Sequence, residues 1–284
     1  MLRRAKPLLG TFVEVALSAA TAEVAWCASN AAFEAVADVH RLMSFHETDS
    51  DVTRLNRHAH TRAIEVDRRT YAVLRRARWL SRESSGTFDC SVGGRLIALG
   101  ALPRSAGLRP DAAATWRDVT LLPGNRVRFR RPLALDLGGI AKGFAVDQAI
   151  EALARLGAAA ACVNAGGDLR VFGDRDWPIA LRRPDAPGEF VSLPAIRNRA
   201  LATTADTFAR HGSIVAPAAG EFRSSSRSVS VLAPTCMDAD ALTKVVWLEE
   251  RLPVDLLEKM DACAIVLGPA TEISASVAAR RAAG

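Results

Sequence analysis

LALDLGGIAKGFAVDQAIEALARLGAAAACVNAGGDLR, residues 133–170, is the stretch that decides the fold of this chain. The apolar run 133–137 surrounds one carboxylate, Asp136, and a double glycine interrupts it. Apolar residues then recur at helical spacing as far as Gly157, and another buried-strand candidate follows. We predict a strand, a glycine turn, a helix, a strand and a second glycine turn, an order that brings backbone close to a ligand.

Three charged side chains, Asp136, Lys142 and Asp168, lie beside or close to these glycines. The motif GGIAKG is not a Walker A loop, because no Gly-Lys-Ser/Thr follows, and Ile140 breaks the pattern G-x-G-x-x-G. From the motif alone, an ordinary connection between a strand and a helix explains this segment equally well. The chain has few lysines against many arginines, so a lysine in a glycine turn favours a functional role.

Composition limits the classes of protein to which the chain can belong. At 284 residues with 49% hydrophobic residues it forms one domain, or two intimately packed sub-lobes, and is not disordered. Its +6 charge comes from arginines scattered over the whole length, and with 6% aromatic residues it lacks the pattern of a nucleic-acid-binding surface. The predicted mixture of strands and helices, without regular β-α alternation outside the centre, indicates an α+β fold.

The cysteines, the apolar runs and the N-terminal region indicate the cellular compartment. The five cysteines are scattered without a C-x-x-C motif, which is typical of buried thiols in a reducing compartment. No apolar run is long enough to cross a membrane. Glu14 interrupts the apolar N-terminal region, which suits a strand over residues 8–17 better than a signal peptide, and no lipobox cysteine is present. We therefore predict a cytoplasmic protein.

Six motifs in a fixed order resemble those of the ApbE-type flavin transferases. They are Leu9-Gly-Thr11, Met43-Ser44, Asp49-Ser-Asp51 with Arg54-Leu-Asn56, Gly86-Thr-Phe-Asp89 with Val92-Gly93, Asp136-Leu-Gly-Gly-Ile-Ala-Lys-Gly143, and Gly166-Gly-Asp168. The resemblance implies mixed sheets flanked by helices around a central FAD cleft. It also implies transfer of FMN from FAD to a Ser or Thr of an acceptor protein, with Mg²⁺ and release of AMP. Many members of the family are exported lipoproteins.

Carried over by position, the resemblance implies a set of FAD contacts. They are Leu9, His46, Thr87, Phe88, Asp89, Asp136, Lys142 and Ile214. Carboxylates accept hydrogen bonds from ribose hydroxyls or a ring N–H, a lysine ammonium pairs with a pyrophosphate, and an imidazole stacks on a ring. Simpler roles stay open: turn caps for the two aspartates, a surface charge for Lys142, a core position for Phe88 and an exposed loop for His46.

The resemblance also implies a magnesium site formed by the carbonyl of Gly139 with the side chains of Asp240 and Thr243. The two side chains stand at i and i+3 of a predicted helix that ends near Trp247, with Asp238 as its N-cap. Many relatives carry the threonine four residues after the aspartate, where this chain has Lys244. Either Thr243 serves instead, or the lysine ammonium weakens metal binding by repulsion. Asp240 also fits an ordinary carboxylate at a helix start.

The pattern breaks where the family has the histidine implied to accept a proton from the incoming hydroxyl. That position is Ser213, which we include with Lys142 and Asp240 as candidate catalytic residues, and His211 stands two residues before it. Loss of a general base typically costs about 10²–10⁴ in rate. Two alternatives to the transferase therefore stay open: a degenerate member that binds FAD without transfer, and a slow FAD pyrophosphatase.

Overall fold

The computed structural model describes residues 1–104, 107–206, 214–268 and 273–275, and the chain divides into two units. Unit 1 comprises Met1–Asp38, Lys142–Ser213 and Ser224–Gly284, and unit 2 comprises Val39–Ala141 and Ile214–Arg223. Both strands and helices are present, and the predicted α+β class is confirmed. One domain, or two intimately packed sub-lobes, stays a prediction.

The elements follow one another in a mixed order. The strands are β1 (Leu2–Leu8), β2 (Thr11–Ala19), β3 (Ile64–Glu65), β4 (Val119–Leu122), β5 (Arg126–Phe129), β6 (Ala158–Ala165), β7 (Asp168–Gly173), β8 (Trp177–Arg182), β9 (Phe190–Ile196), β10 (Ala200–Ala205), β11 (Ile214–Ala216), β12 (Glu221–Arg223), β13 (Ser228–Ala233), β14 (Cys263–Leu267) and β15 (Ile273–Ala275). The helices are α1 (Ala22–Met43), α2 (Asp51–His58), α3 (Arg68–Glu83), α4 (Gly93–Ala98), α5 (Ala141–Arg155), α6 (Cys236–Leu248) and α7 (Val254–Lys259).

Unit 1 is built on an eight-stranded sheet in the order β1-β2-β6-β7-β10-β13-β14-β15, with every neighbouring pair antiparallel. Strand β7 shows how the two faces differ, because successive side chains of a strand point to opposite sides. Asp168 and Arg170 contact helix α5. Val171, on the other face, packs in an apolar cluster with Trp177 and Ile179 of the hairpin β8–β9. Helix α5 and the hairpin β8–β9 therefore cover opposite faces of the sheet.

Helices α5 and α6 approach each other closely at Gly143, where an added Cβ would lie 2.2 Å from the carbonyl oxygen of Cys236. Asp147 of α5 accepts hydrogen bonds from the backbone amides of Cys236 and Met237, both at 2.9 Å. The same carboxylate binds the Arg170 guanidinium of β7 at 2.8 Å. A carboxylate at a helix N-terminus is favoured by the helix dipole, so Asp147 joins α5, the start of α6 and the sheet.

Unit 2 contains the three-stranded sheet β3-β5-β4 and helices α2, α3 and α4. The predicted strand over residues 133–137 is wrong, because this stretch makes only an isolated bridge, between Val92 and Ala134. Leu135 instead bonds the side chain of Asn56, its N–H donating to Oδ1 at 2.7 Å and its carbonyl accepting from Nδ2 at 3.0 Å. A side-chain amide thus satisfies the backbone groups that a neighbouring strand would otherwise bind.

Two further predictions are wrong in detail. The first strand, predicted over residues 8–17, is a hairpin of β1 and β2 whose turn at Leu9 and Gly10 has φ values of 56° and 71°. The N-cap of α6 is Thr235, whose hydroxyl accepts from the N–H of Asp238 at 3.2 Å, so Asp238 lies in the first turn. Helix α1 is confirmed over its predicted span. No helix among the described residues combines the length and the apolar character needed to cross a bilayer.

Candidate functional site

Four charged side chains of unit 1 form what we call the four-charge cluster: Lys142, Asp168, Asp240 and Lys244. The Nζ atom of Lys142 lies 2.9 Å from Oδ2 of Asp168. The Nζ atom of Lys244 forms an ion pair with Oδ1 of Asp240, one helical turn earlier on α6. The carboxylates of Asp168 and Asp240 are almost completely buried, whereas the Lys142 side chain is 31% exposed. The cluster therefore combines a partly exposed lysine side chain with two buried carboxylates.

Glycines hold the elements of the cluster close together. Gly166 and Gly167, with φ values of 63° and 103°, form the turn that precedes Asp168, and the N–H of Gly167 donates to Oδ1 of Asn164 at 2.9 Å. Gly143, next to Lys142, donates its N–H to Oδ2 of Asp240 at 3.0 Å. An added Cβ at Gly143 would also lie 2.8 Å from Cβ of Asp240. Only glycine allows α5 to present this amide to the carboxylate.

Burial and charge shift the pKa values in this cluster in opposing ways. Burial raises the pKa of Asp168 to about 6, and the nearby Asp240 carboxylate adds to the rise, while Lys142 and Lys244 oppose it. Burial lowers the pKa of Lys142, but the charges of Asp168 and Asp240 outweigh this effect and the net pKa is raised. Lys142 is therefore a firmly charged ammonium at neutral pH.

The side chains predicted to bind magnesium are already bonded within the protein. Asp240 uses one oxygen for Gly143 and the other for Lys244. The Thr243 hydroxyl lies 2.7 Å from the carbonyl oxygen of Asp240 and 2.8 Å from the hydroxyl of Thr204. Among the residues that the structure describes, no group of three or more His, Cys, Asp or Glu side chains is arranged to hold a metal. These side chains therefore do not fit a divalent metal as they are placed.

Unit 2 carries the other two predicted carboxylates, each in a tight turn. Asp89 accepts bonds at Oδ1 from the N–H and hydroxyl of Ser91, at 2.7 and 2.6 Å, and at Oδ2 from the N–H of Trp116 at 3.2 Å. Asp136 accepts from the N–H of Gly138 at 3.2 Å. Burial raises the pKa of both carboxyl groups, although these hydrogen bonds oppose the rise. Both aspartates therefore have the turn-cap role.

The remaining predicted site residues are distributed over both units. Leu9 lies in the β1–β2 turn of unit 1. The other five belong to unit 2: His46 edge-on to the Phe45 ring, Thr87 in a turn, Phe88 with 4% exposure, Gly139 in the turn before α5, and Ile214 at the start of β11. Ser213 and His211 lie outside the described residues.

Sequence analysis missed Asp147 and its partner Arg170, which together position the start of α6. The available signal was one acid next to the apolar stripe of α5, since a charge at such a place requires a partner. A cavity of about 510 Å³ lies elsewhere in unit 1, lined in part by Arg3, Glu14 and Trp177, and none of the predicted site residues lines it. This cavity is therefore separate from the four-charge cluster.

Comparisons with known proteins agree on one family. The sequence model of the ApbE family matches residues 9–266. An FAD:protein FMN transferase of Haemophilus influenzae is 30% identical over 78% of this chain and 72% of its own length. One of Treponema pallidum is 28% identical over 86% of this chain and 78% of its own length.

Solved structures agree with the sequence relatives. An ApbE protein from Thermotoga maritima superposes with a TM-score of 0.85 at 25% identity, covering 99% of this chain and 98% of the other. A flavin transferase ApbE from Vibrio cholerae superposes with a TM-score of 0.83 at 24% identity, covering 99% and 98% of the two chains. The similarity to the Vibrio protein is evidence of a shared fold.

Proposed function

The chain belongs to the ApbE family, and from this premise we propose that it is an FAD:protein FMN transferase. An oxygen of an acceptor protein attacks the phosphorus on the FMN side of the FAD pyrophosphate. The new bond joins FMN to the acceptor, the bond to the AMP phosphate breaks, and AMP leaves with that electron pair. The acceptor group, in our proposal, is a Ser or Thr hydroxyl, whose proton is lost to a base during the attack.

The observation that carries this proposal is the placement of Lys142 on Asp168. A buried carboxylate orients the ammonium at 2.9 Å while the lysine side chain stays 31% exposed. An ammonium has three donors, so donors remain for phosphate oxygens after Asp168 is bound. Charge that develops on the leaving AMP phosphate would be stabilised by this preorganised cation. Lys142 is therefore our candidate for the group that promotes departure of AMP.

The other residues are given roles consistent with their surroundings. The buried carboxylate of Asp89 and the half-buried carboxylate of Asp136 would accept hydrogen bonds from FAD in addition to their turn bonds, since a carboxylate has about four acceptor sites. Leu9, His46, Thr87, Phe88 and Ile214 complete the proposed FAD contacts by family resemblance. Ser213 stands where the resemblance expects the proton acceptor. A serine hydroxyl is a weak base, so we expect slower transfer than a histidine would support.

Magnesium stays outside the proposed steps. The family resemblance implies it, with Gly139, Asp240 and Thr243 as ligands. The side-chain oxygens of Asp240 and Thr243 are, however, engaged by other protein groups. A divalent ion would have to displace those partners before it could bind.

The test measures AMP and protein-bound flavin in the same reaction. The full chain is incubated with FAD and an extract of its source cells as the source of acceptor, AMP is quantified, and in-gel fluorescence detects covalent flavin. We expect AMP to be released in step with a fluorescent protein band whose mass increase corresponds to FMN at a Ser or Thr. Lys142→Met should lower the rate by about 10²–10³, the typical cost of losing one electrostatic donor.

The matched control is Lys259→Met, which removes an exposed lysine at the end of α7 and should keep the wild-type rate. Free FMN and AMP without labelled protein would show a pyrophosphatase instead. Binding of FAD without any AMP would show a flavin-binding protein. Either result contradicts the proposed transfer.

A further inference from the structure

The position of Lys244 has a consequence for the cation requirement of the reaction. Its ammonium binds Oδ1 of Asp240, the residue to which the family resemblance assigns metal binding. The Lys244 side chain is only 16% exposed and the Asp240 side chain is fully buried. An ammonium withdrawn from water in this way is held by its partner carboxylate and cannot easily leave it.

The second oxygen of Asp240 also has a partner within the protein. Oδ2 accepts from the N–H of Gly143 at 3.0 Å, a bond that depends on the close packing of α5 on α6. Thr243, also fully buried, uses its hydroxyl with the Asp240 carbonyl and the Thr204 hydroxyl. A hydroxyl has one proton and two lone pairs, so these two bonds leave one lone pair of Thr243 for a metal.

The charge balance of the cluster also disfavours a bound divalent metal. The four-charge cluster contains two carboxylates, of Asp168 and Asp240, and two ammonium groups, of Lys142 and Lys244, so its formal charge is zero. Adding a divalent cation would leave an excess of two positive charges in a largely buried site. Such an excess is costly because the surroundings screen charge poorly.

We propose that the Lys244 ammonium takes the place of a divalent metal at Asp240, so that this chain binds FAD and transfers FMN without one. The ammonium supplies one fixed positive charge and N–H donors close to Lys142, and the pyrophosphate of FAD would meet two lysines in place of one lysine and a metal. The statement that FMN is transferred without a metal rests on the proposed function. The statement that Lys244 occupies the metal position does not, because it concerns the protein without nucleotide.

The first measurement therefore uses MgCl₂ alone. The full-length chain, freed of metal with EDTA and dialysed, is titrated by calorimetry, and its Tm is measured with and without millimolar MgCl₂. We expect no binding heat and no change in Tm for the wild type. In Lys244→Thr the carboxylate loses its ammonium and gains a neighbouring hydroxyl. This variant should bind Mg²⁺ and show a rise in Tm upon its addition.

Two further variants keep the test decisive. Lys259→Thr makes the same change on α7, outside the four-charge cluster, and should behave as the wild type. Lys244→Arg keeps the charge and should also remain indifferent to Mg²⁺, which covers the case in which Lys244→Thr does not fold. Micromolar binding of Mg²⁺ to the wild type, or indifference of a folded Lys244→Thr variant, would overturn the proposal.

Nucleotide binding gives an independent measurement. Quenching of flavin fluorescence should yield the same FAD affinity for the wild type with EDTA and with Mg²⁺, whereas EDTA should weaken the affinity of Lys244→Thr by about tenfold or more. A loss of wild-type FAD affinity in EDTA would contradict the inference while leaving the transferase proposal intact. An absence of FAD binding in every form would contradict the proposed function, and the MgCl₂ titration would still decide the metal question.

Discussion

The four-charge cluster of unit 1 and the carboxylate turns of unit 2 stabilise buried charge in different ways. In the cluster, each carboxylate faces a lysine ammonium. In the turns, Asp89 and Asp136 are held by backbone N–H groups and one hydroxyl. Removing one member of a cluster of opposite charges leaves another buried and uncompensated, whereas removing a turn carboxylate frees hydrogen-bond donors that are all neutral. The first region should therefore be sensitive to substitution and the second tolerant.

The strongest way to break this contrast is Asp240→Ala. It leaves the Lys244 ammonium without its partner and the Gly143 amide without its acceptor, so we expect a loss of about 3–5 kcal/mol in the free energy of unfolding. Urea denaturation followed by circular dichroism measures the loss. Asp255→Ala, at an exposed position in α7, is the matched control and should stay within about 0.5 kcal/mol of the wild type. Equal stability of the two variants would mean that the cluster contributes nothing.

A pair of glycine substitutions compares the two regions directly. In Gly143→Ala the new methyl group meets backbone atoms of Cys236 at 2.2 and 2.6 Å, so α5 and α6 must separate, at a cost of about 1–3 kcal/mol. In Gly138→Ala the nearest atom is Oδ2 of Asp136 at 3.1 Å, a side-chain oxygen that needs to shift by only a few tenths of an ångström. We expect Gly138→Ala to cost less than about 1 kcal/mol. The difference in urea midpoint checks this, and the reverse order would contradict it.

The pH dependence of the free energy of unfolding gives a further test of the buried carboxylates of unit 1. Burial raises the pKa of Asp147 to about 6, although Arg170 and two backbone N–H groups oppose it. The folded state thus holds this proton more tightly than the unfolded state, so the free energy of unfolding falls as pH rises from about 4 to about 6. The fall from one such group is about 1–3 kcal/mol. Asp168, with a pKa also raised to about 6, acts in the same direction.

Asp147→Asn should reduce this fall, because its side chain does not titrate. Urea denaturation at a series of pH values measures the slope for the wild type and the variant. Asp174→Asn, at an exposed position after β7, should leave the slope unchanged. A slope in Asp147→Asn as steep as that of the wild type would show that Asp147 is already ionised well below pH 6.

The smallest expected change in stability is that of Asp136→Asn. The amide oxygen can still accept from the N–H of Gly138, so the free energy of unfolding should stay within about 0.5 kcal/mol of the wild type. If Asp136 binds FAD as proposed, loss of its charge should raise the Kd for FAD about tenfold. Fluorescence quenching measures the Kd, with Asp255→Asn as control. An unchanged Kd would remove Asp136 from the proposed site.

Much of the secondary structure followed from local pattern. Helix α1 matches its predicted span because its apolar residues repeat at helical spacing over 22 residues. Residues 133–137 resembled a strand because they are apolar and buried, but burial does not specify a hydrogen-bonding partner. The partners are the side chain of Asn56, 79 positions away in the sequence, and the backbone of Cys90 and Gly93. The N-cap of α6 was misplaced by three residues, since Thr235 and Asp238 both suit that position.

The sequence by itself determined the α+β class, the glycine turns around the GGIAKG motif and the family to which the chain belongs, because local spacing and motif order encode these properties. Tertiary structure alone decided that Lys142 pairs with Asp168, that Lys244 pairs with Asp240, and that Asp147 binds the start of α6. The Lys142 and Asp147 contacts join distant parts of the chain and arise only where α5, α6 and β7 meet. Helical spacing allows the Lys244 contact, but burial makes it a fixed ion pair rather than a solvated surface charge.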